Sequence, residues 1–145
     1  MATPKMIFVN LPVRDLGKSI AFYESLGFTN EPRFTDETAA CMQWSDTIFV
    51  MILTHDKWRV FTRRPIPDAG SSEVSLALTS ESRAAVDAMA DAAAANGGAA
   101  DVNPAQDHGF MFSRSFADPD GHVWEPMWMD PAVANGEAPV PEVTL

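Results

Sequence analysis

Apolar and polar residues alternate along residues 6–13, which predicts a β-strand. Its odd-numbered positions are all apolar, from Ile7 to Val13, and its other face carries Phe8, Asn10 and Pro12. Asp15 then predicts a helix N-cap, because its carboxylate can accept hydrogen bonds from the free N–H groups of a first turn. An apolar stripe follows at helical spacing up to Gly27, which predicts the end of the helix.

Three further strands are predicted after this helix. Residues 28–34 form one candidate, and residues 39–44 and 47–54 indicate a hairpin around Ser45-Asp46. The second hairpin strand is apolar on both faces, which is typical of a well-buried strand. Cys41 lies in the first and is predicted to be a small core residue. Residues 55–72 break the pattern, with one or two helical turns at 55–61 and a linker at 63–70.

The opening pattern then returns, which indicates an internal repeat. A strand is predicted at 73–79, followed by a helix with Ser80 or Ser82 as its N-cap and 96–98 as its end. The predicted helix buries Val86, Met89, Ala90 and Ala93. Further strands are predicted near 100–104, at 110–116 and at 122–129, with a type I turn at 118–121. Residues 8–13 align with 73–78 at an offset of 65, which grows to about 70 at the helix ends.

This repeat predicts an α+β fold of two β-α-β-β-β modules whose paired curved sheets surround a cavity. We expect one domain over residues 1–130, with module one at 6–54, a linker at 55–72 and module two at 73–130. Residues 131–145 are rich in Pro, Ala and Gly and are expected to be a mobile tail. Clefts between such units are common ligand sites.

Charge changes the picture of what could bind. The 145-residue chain carries 10 basic and 20 acidic residues, a net charge of −10. Residues 1–65 have eight basic and seven acidic groups (+1), and residues 66–145 have two and thirteen (−11). This balance argues against nucleic acid and anionic membranes as partners. It supports either simple solubility or a cavity or face that prefers cations.

Location and redox state follow from two further features. The single cysteine excludes an internal disulfide framework. No stretch approaches the roughly 18 apolar residues that a membrane helix needs. We therefore expect a cytoplasmic protein.

Two motifs resemble those of a known superfamily. Val13-Arg14-Asp15-Leu16, Ser19-Ile20-Ala21-Phe22-Tyr23 and Leu26-Gly27-Phe28 resemble the opening V-x-D-L, S-x-x-F-Y and L-G-F of the vicinal oxygen chelate superfamily. Asp118-Pro119-Asp120-Gly121-His122, followed by Glu125, resembles its D-P-D-G-x-x-x-E closing strand. The superfamily includes glyoxalase I, fosfomycin- and bleomycin-resistance proteins and extradiol dioxygenases. The resemblance covers residues 6–130 and implies a glyoxalase-like fold, whereas one fold can host many functions.

The resemblance also implies where a divalent metal would bind, on the first and last strands of each module. The first-strand position, usually His, is occupied by Phe8, and its counterpart in module two is aligned with Glu73. The last strand of module one, residues 48–52, offers no donor beyond a thioether, and that of module two keeps Glu125. Divalent ions need several N or O donors, so no metal is expected to be firmly held. Glu125 and Glu73 are the candidate ligands if one binds.

The non-helix face of the two first strands predicts a ligand cavity. Its predicted residues are Phe8, Asn10, Glu73, Ser75, Glu125 and His108, the last as a proton carrier at the cavity mouth. The leading hypothesis is a glyoxalase- or bleomycin-resistance-like protein that binds a small organic molecule in this cavity. The alternative is a metal-dependent lyase, isomerase or dioxygenase with an atypical ligand set centred on Glu125. A third hypothesis is metal-free acid–base chemistry, with Glu125 as the catalytic residue.

Two expectations concern the surroundings of the cavity. His122 is three positions from Glu125, so strand alternation predicts that it faces away from the cavity. Lys57, Arg59, Arg63 and Arg64 cluster in the middle segment, either over an anionic substrate or on an inter-subunit face. Together with the apolar last strands, the charge asymmetry predicts a homodimer.

Overall fold

The computed structural model describes residues 3–142, which form two curved sheets and four α-helices in an α+β fold. The strands are β1 (Ile7–Val13), β2 (Thr29–Glu31), β3 (Ala39–Gln43), β4 (Ile48–Thr54), β5 (Leu76–Thr79), β6 (Ala99–Ala100), β7 (Gln106–Asp107), β8 (Met111–Ser113), β9 (Phe116–Ala117) and β10 (Val123–Met129). The helices are α1 (Leu16–Ser25), α2 (His55–Phe61), α3 (Arg83–Ala95) and α4 (Pro131–Ala134). No helix within residues 3–142 has both the length and the apolar character to cross a membrane.

The first sheet has the strand order β1-β4-β3-β2, with β1 and β4 parallel. In the second sheet, β10 pairs in parallel with β5 on one side and with β8 and β9 on the other, and β7 and β6 extend it. The parallel pair β5–β10 of the second module therefore matches β1–β4 of the first. This confirms the predicted two-module architecture.

Local signals explain where the long helices begin and what they bury. Asp15 accepts a hydrogen bond from the Lys18 N–H at 3.1 Å and caps α1. Of the two predicted caps for α3, Ser82 is the one used, since its Oγ accepts from the Ala85 N–H at 3.0 Å. The four residues predicted on the inner face of α3, Val86, Met89, Ala90 and Ala93, are all buried.

The core is a continuous cluster on the helix side of both sheets. Leu11 and Val13 of β1 are buried there, as is Cys41 nearby, but Ile7 is 55% exposed. The ten residues of α1 span about 15 Å, whereas the seven residues of β1 span about 23 Å. The helix is therefore too short to cover the whole strand, and Ile7 stays exposed although it belongs to the apolar face of β1.

Several predicted strands are shorter or differently divided than expected. The candidate at 28–34 is only β2, followed by a 3-10 turn over Pro32–Phe34. The candidate at 110–116 splits into β8 and β9 around Arg114 and Ser115. Opposite them lies Pro126 of β10, which has no N–H for the ladder, although its carbonyl accepts from the Arg114 N–H at 3.2 Å.

Two elements, β7 and α4, were not predicted. The short helix α4 falls within the segment expected to be an irregular tail, and Asp130 caps it by accepting from the Ala132 N–H at 3.0 Å. The last three positions of that predicted tail, 143–145, lie outside the described residues.

Candidate functional site

A cavity of about 410 Å³ lies where the edge of the first sheet meets the second. Its walls come from β1, α2, the linker between α2 and β5, and the turn before β10. Leu11, Pro12, Leu76 and Val123 contribute apolar surface. Polar groups come from Asn10, Arg14, His55, Asp68, Glu73, Asp120 and His122. An apolar surface with a few polar groups is typical of a small-molecule site.

The linker reaches the cavity because of a close contact at Gly121. This residue has a φ of +89°, and a Cβ there would collide with the carbonyl oxygen of Ala69. Any other side chain would displace the linker, and the left-handed conformation itself favours glycine. Gly121 thus holds the linker against the turn and lets it form one wall.

Two of the residues predicted for the cavity line it, namely Asn10 and Glu73. Ser75 instead lines a neighbouring cavity, which Glu73 shares. Phe8, on the same strand face as Asn10, stacks on Phe49 with a centroid distance of 4.8 Å and remains 52% exposed.

Glu125 and His108 lie away from the lining of this cavity. Glu125 occupies the face of β10 opposite the buried Trp124, beside Ala77 of β5. It is half-buried, and its carboxylate has no hydrogen-bond partner within residues 3–142. His108 lies in the turn between β7 and β8, where its Nε2 is buried and has no partner among the described residues.

His122 lines the cavity, so the expectation that it faces away was wrong. Its Nε2 lies 2.7 Å from the carbonyl oxygen of Pro12. A carbonyl can only accept, so Nε2 carries the proton and donates it. Strand alternation did not apply because β10 begins only at Val123, and His122 still belongs to the preceding turn.

Seven polar side chains of the cavity have no hydrogen-bond partner within the described part of the chain: Asn10, His55, Trp58, Asp68, Ser71, Ser72 and Glu73. Arg14, in contrast, is already occupied. Its Nε donates to Asp120 at 3.0 Å and its Nη2 to the Pro119 carbonyl at 2.7 Å. The unpartnered groups are therefore the ones available to a ligand.

A buried polar cluster fixes the two modules beside the cavity. The Tyr23 hydroxyl of α1 donates to Asp118 at 2.7 Å and accepts from the Trp124 indole N–H at 3.1 Å. Asp118 also accepts from the backbone N–H groups of Asp120 and His122. Burial raises the pKa of Asp118, and burial together with the nearby carboxylate raises that of Tyr23 well above its ordinary value. Tyr23 and Asp118 both belong to the motifs found in the sequence, but nothing in the sequence indicated that they contact each other.

Strand pairing corrects the alignment of the two modules. Phe8 pairs with Phe49 in β1–β4. The buried pair Trp124 and Pro126 in β10 matches the buried pair Val50 and Ile52 in β4, so Glu125 corresponds to Met51. Since Asn10 pairs with Met51 and Ala77 pairs with Glu125, Asn10 corresponds to Ala77.

The module offset in the first strands is therefore 67 rather than 65, and Ser75 is the counterpart of Phe8. The helix caps give the same spacing, because Asp15 follows Phe8 by seven residues and Ser82 follows Ser75 by seven. Glu73 lies before β5, outside the paired strand. The shift of two residues keeps side chains on the same face, which is why alternation alone did not detect it.

The four positions at which the resemblance places metal ligands are thus Phe8, Met51, Ser75 and Glu125, of which Ser75 immediately precedes β5. They supply one carboxylate, one hydroxyl and one thioether, whereas hard or borderline divalent ions favour several carboxylate or imidazole donors. Residues 3–142 contain no group of three or more His, Cys, Asp or Glu side chains arranged to hold a metal ion. These residues do not fit a divalent metal centre.

Comparison with known proteins agrees with this architecture. A sequence model of the Glyoxalase/Bleomycin resistance protein/Dioxygenase superfamily matches residues 5–125, and the chain belongs to that superfamily. No protein of curated function matches the sequence significantly.

Solved structures similar to this chain show the same fold. A hypothetical protein from S. aureus has a TM-score of 0.72 and 23% identity, with coverage of 88% of this chain and 95% of that one. A glyoxalase/bleomycin resistance protein/dioxygenase family enzyme from Burkholderia phytofirmans PsJN has a TM-score of 0.72 and 15% identity, covering 87% and 99%. A bleomycin resistance determinant encoded on the transposon Tn5 has a TM-score of 0.59 and 20% identity, covering 88% and 99%. At these identities the likeness concerns the fold.

Proposed function

We propose that this protein binds a small organic molecule in the cavity between its modules, without a firmly held metal ion. The observation that carries the proposal is the 410 Å³ cavity, whose apolar surface is accompanied by seven polar side chains without hydrogen-bond partners within residues 3–142. Polar groups beside apolar surface can orient a small ligand through hydrogen bonds while its apolar part is buried. The cysteine thiol of Cys41 is buried and unpaired, which agrees with the proposed cytoplasmic location.

The test of ligand binding is a variant that fills the cavity. Val74 lines the cavity and is 59% exposed, so Val74→Trp is expected to fold normally and to occupy ligand volume. Small molecules that raise the melting temperature of the wild type in a thermal-shift screen should lose that effect in Val74→Trp. The matched control is Val140→Trp, at an exposed position outside the cavity. Hits that stabilise all three proteins equally would contradict the proposed location.

The metal part of the proposal is tested by elemental analysis. Protein purified without chelator is expected to hold well below one zinc, nickel, iron or manganese ion per chain, because Phe8, Met51 and Ser75 are poor ligands. Glu125→Gln should leave that content unchanged. Near-stoichiometric metal that is lost in Glu125→Gln would favour the metal-dependent lyase, isomerase or dioxygenase instead.

A second candidate function is metal-free acid–base chemistry at Glu125. It is favoured by one observation, a half-buried carboxylate on a sheet face without a hydrogen-bond partner within residues 3–142. A free carboxylate can accept a proton from a bound substrate. If a screening hit is converted to a product, Glu125→Gln should lower kcat by about 10²-fold or more while leaving KM similar. An unchanged kcat would exclude this role.

A further inference from the structure

We infer that the ligand of the cavity is an amine, a small organic cation with a flat apolar body. This inference rests on the proposed function and narrows it to a chemical class. Three features of the cavity carry it: its unbalanced charge, an aromatic side chain, and hydrogen-bond acceptors on the same lining.

The charges that line the cavity are predominantly negative. Asp68, Glu73 and Asp120 contribute carboxylates, and Arg14 contributes the only guanidinium or ammonium group on the described lining. Arg14 and Asp120 neutralise each other through an ion pair of 3.0 Å. Asp68 and Glu73 have no ion pair within residues 3–142, so the cavity presents two uncompensated carboxylates. Such a field attracts a cation and repels an anion.

The basic residues of α2 do not reverse this balance. Lys57 places its ammonium group over the Phe61 ring at 5.5 Å, and Arg59 pairs with Asp56 at 3.4 Å. Neither side chain lines the cavity. Trp58 of the same helix does line the cavity, so the helix contributes its tryptophan to the cavity and its basic side chains to other surfaces.

Trp58 supplies an aromatic wall next to an apolar floor. It is half-buried, and the floor includes Leu11, Pro12 and Leu76. An indole face attracts cations and also stacks on flat rings. A ligand that combines a ring with an ammonium group would use both properties.

The acceptors complete the match. An ammonium group has three N–H donors and no acceptor, and the carboxylate of Glu73 and the amide oxygen of Asn10 are both without partners. An anionic ligand would find Arg14 already bound to Asp120 and Pro119. The cavity therefore suits an aromatic amine better than a carboxylate or a phosphate of similar size.

Three indole probes of matched shape test the inference by isothermal titration calorimetry: tryptamine (cationic), indole-3-acetate (anionic) and indole (neutral). The wild type is expected to bind tryptamine at least about fivefold more tightly than indole-3-acetate at low salt, and added salt should reduce the ratio. In the double variant Asp68→Asn/Glu73→Gln the ratio should approach one, while indole binding stays unchanged. The control Glu81→Gln/Glu137→Gln removes the same charge from exposed positions outside the cavity and should keep the wild-type ratio.

Equal or reversed affinities in the wild type would overturn the amine inference, as would a preference that persists in the double variant. Absence of tryptamine binding at about 1 mM would overturn it as well. The proposed function is judged separately by the cavity-filling variant Val74→Trp. Hits that are anionic or neutral and that Val74→Trp abolishes would refute the amine class and leave the proposed function standing.

Discussion

The Tyr23 hydroxyl connects the two modules through a buried hydrogen-bonded cluster with Asp118 and Trp124. Asp118 is buried on a tight turn, and a buried carboxylate is tolerated only when its oxygens accept several hydrogen bonds. Because this turn also carries Gly121 and His122, the cluster fixes residues that form the cavity wall. A single hydroxyl thus links core stability to the site.

Removing that hydroxyl should destabilise the fold. Tyr23→Phe deletes the donor to Asp118 and the acceptor of the Trp124 N–H, and we expect a loss of about 1–3 kcal/mol in the free energy of unfolding. The Tyr23 hydrogen bond lowers the pKa of Asp118, so its loss should raise that pKa further. Urea denaturation at neutral pH measures the first effect, and NMR titration of Asp118 measures the second. A stability change below about 0.5 kcal/mol would contradict the role assigned to the cluster.

The sign of the Asp118 contribution to stability follows from burial. Its folded-state pKa is raised above the ordinary value, so the folded chain holds this proton more tightly than the unfolded chain. The contribution is therefore full below the ordinary pKa and is lost as the pH rises through the raised one. The cost of Tyr23→Phe should accordingly be larger at pH 7 than in acid, where Asp118 is protonated.

Asp107 behaves in the opposite way. Its carboxylate receives two hydrogen bonds from Arg83, at 2.8 and 3.0 Å, and these bonds lower its pKa to about 2. A depressed pKa gives a contribution that is present above the ordinary value of 3.8 and is lost as the pH falls towards 2. Asp107→Asn should therefore be less stable than the wild type at pH 7, with a difference that shrinks between pH 4 and about 2.

The measurement is urea denaturation of both proteins across this pH range. Asp46→Asn serves as the control, because Asp46 is exposed and has no ion pair within residues 3–142. The Asp107 interpretation fails if the difference between wild type and Asp107→Asn is the same at every pH, or if Asp46→Asn behaves in the same way.

Among the elements, the linker before β5 depends on one close contact. The Ala69 carbonyl lies so near to Gly121 that no side chain fits between them. Linker residues such as Asp68, Glu73 and Val74 form a wall of the cavity, and most of the linker is otherwise exposed. The shape of the cavity therefore depends on a glycine in the turn before β10, far along the chain from Ala69.

Gly121→Ala should open this wall. We expect a loss of about 1–2 kcal/mol from the left-handed backbone conformation and from displacement of Ala69, together with at least about fivefold weaker binding of any ligand found in the cavity. Gly109→Ala is the matched control, since Gly109 also has a positive φ, +79°, but no atom within 4 Å of its Cβ position. Calorimetry and thermal denaturation of both variants separate backbone strain from the contact. Equal ligand affinity in the two variants would contradict the role of the linker.

Some elements of the repeat could be predicted from local sequence patterns, and others could not. Alternation and helix caps predicted β1, α1, α3 and β10. The correct alignment of Ser75 with Phe8 could also have been found in the sequence, because each residue lies seven positions before the N-cap of the following helix. The strand predicted at 73–79 is three residues shorter at its start, because its pairing with β10 begins only at Leu76, opposite Trp124. Where this pairing begins depends on residues that lie far away in the sequence. The break between β8 and β9 could not be predicted from its own segment, because it lies opposite Pro126 of β10, which has no N–H for the ladder.

For the whole molecule, exposed apolar side chains and uneven charge favour a second copy as partner. Ile7, Phe8, Phe34, Val60 and Phe61 are all more than half exposed. Arg63 and Arg64 have no ion pair within residues 3–142, whereas module two carries most of the negative charge. Apolar surface combined with complementary charge is typical of protein interfaces.

Sedimentation velocity at micromolar concentration should therefore give a mass of about twice 15.8 kDa. Arg63→Glu/Arg64→Glu should weaken the dimer by about tenfold or more, because it reverses the charges of the two arginines that have no ion pair within residues 3–142. The control, Lys5→Glu/Lys18→Glu, makes the same change in net charge at other exposed positions and should leave it intact. A wild-type mass of about 16 kDa would exclude the homodimer.

The sequence by itself determined the two-module architecture, the helix caps, the inner face of α3 and the family, because these depend on local periodicity and short motifs. The sequence also showed that Phe8 and the last strand of module one lack the donor side chains that the superfamily resemblance leads one to expect there. Only the tertiary structure decided that Glu73, His122 and Trp58 share a cavity, and that Glu125 and His108 lie away from its lining. Contacts of this kind join residues far apart in the chain, and their geometry depends on the packing of both modules rather than on any local pattern.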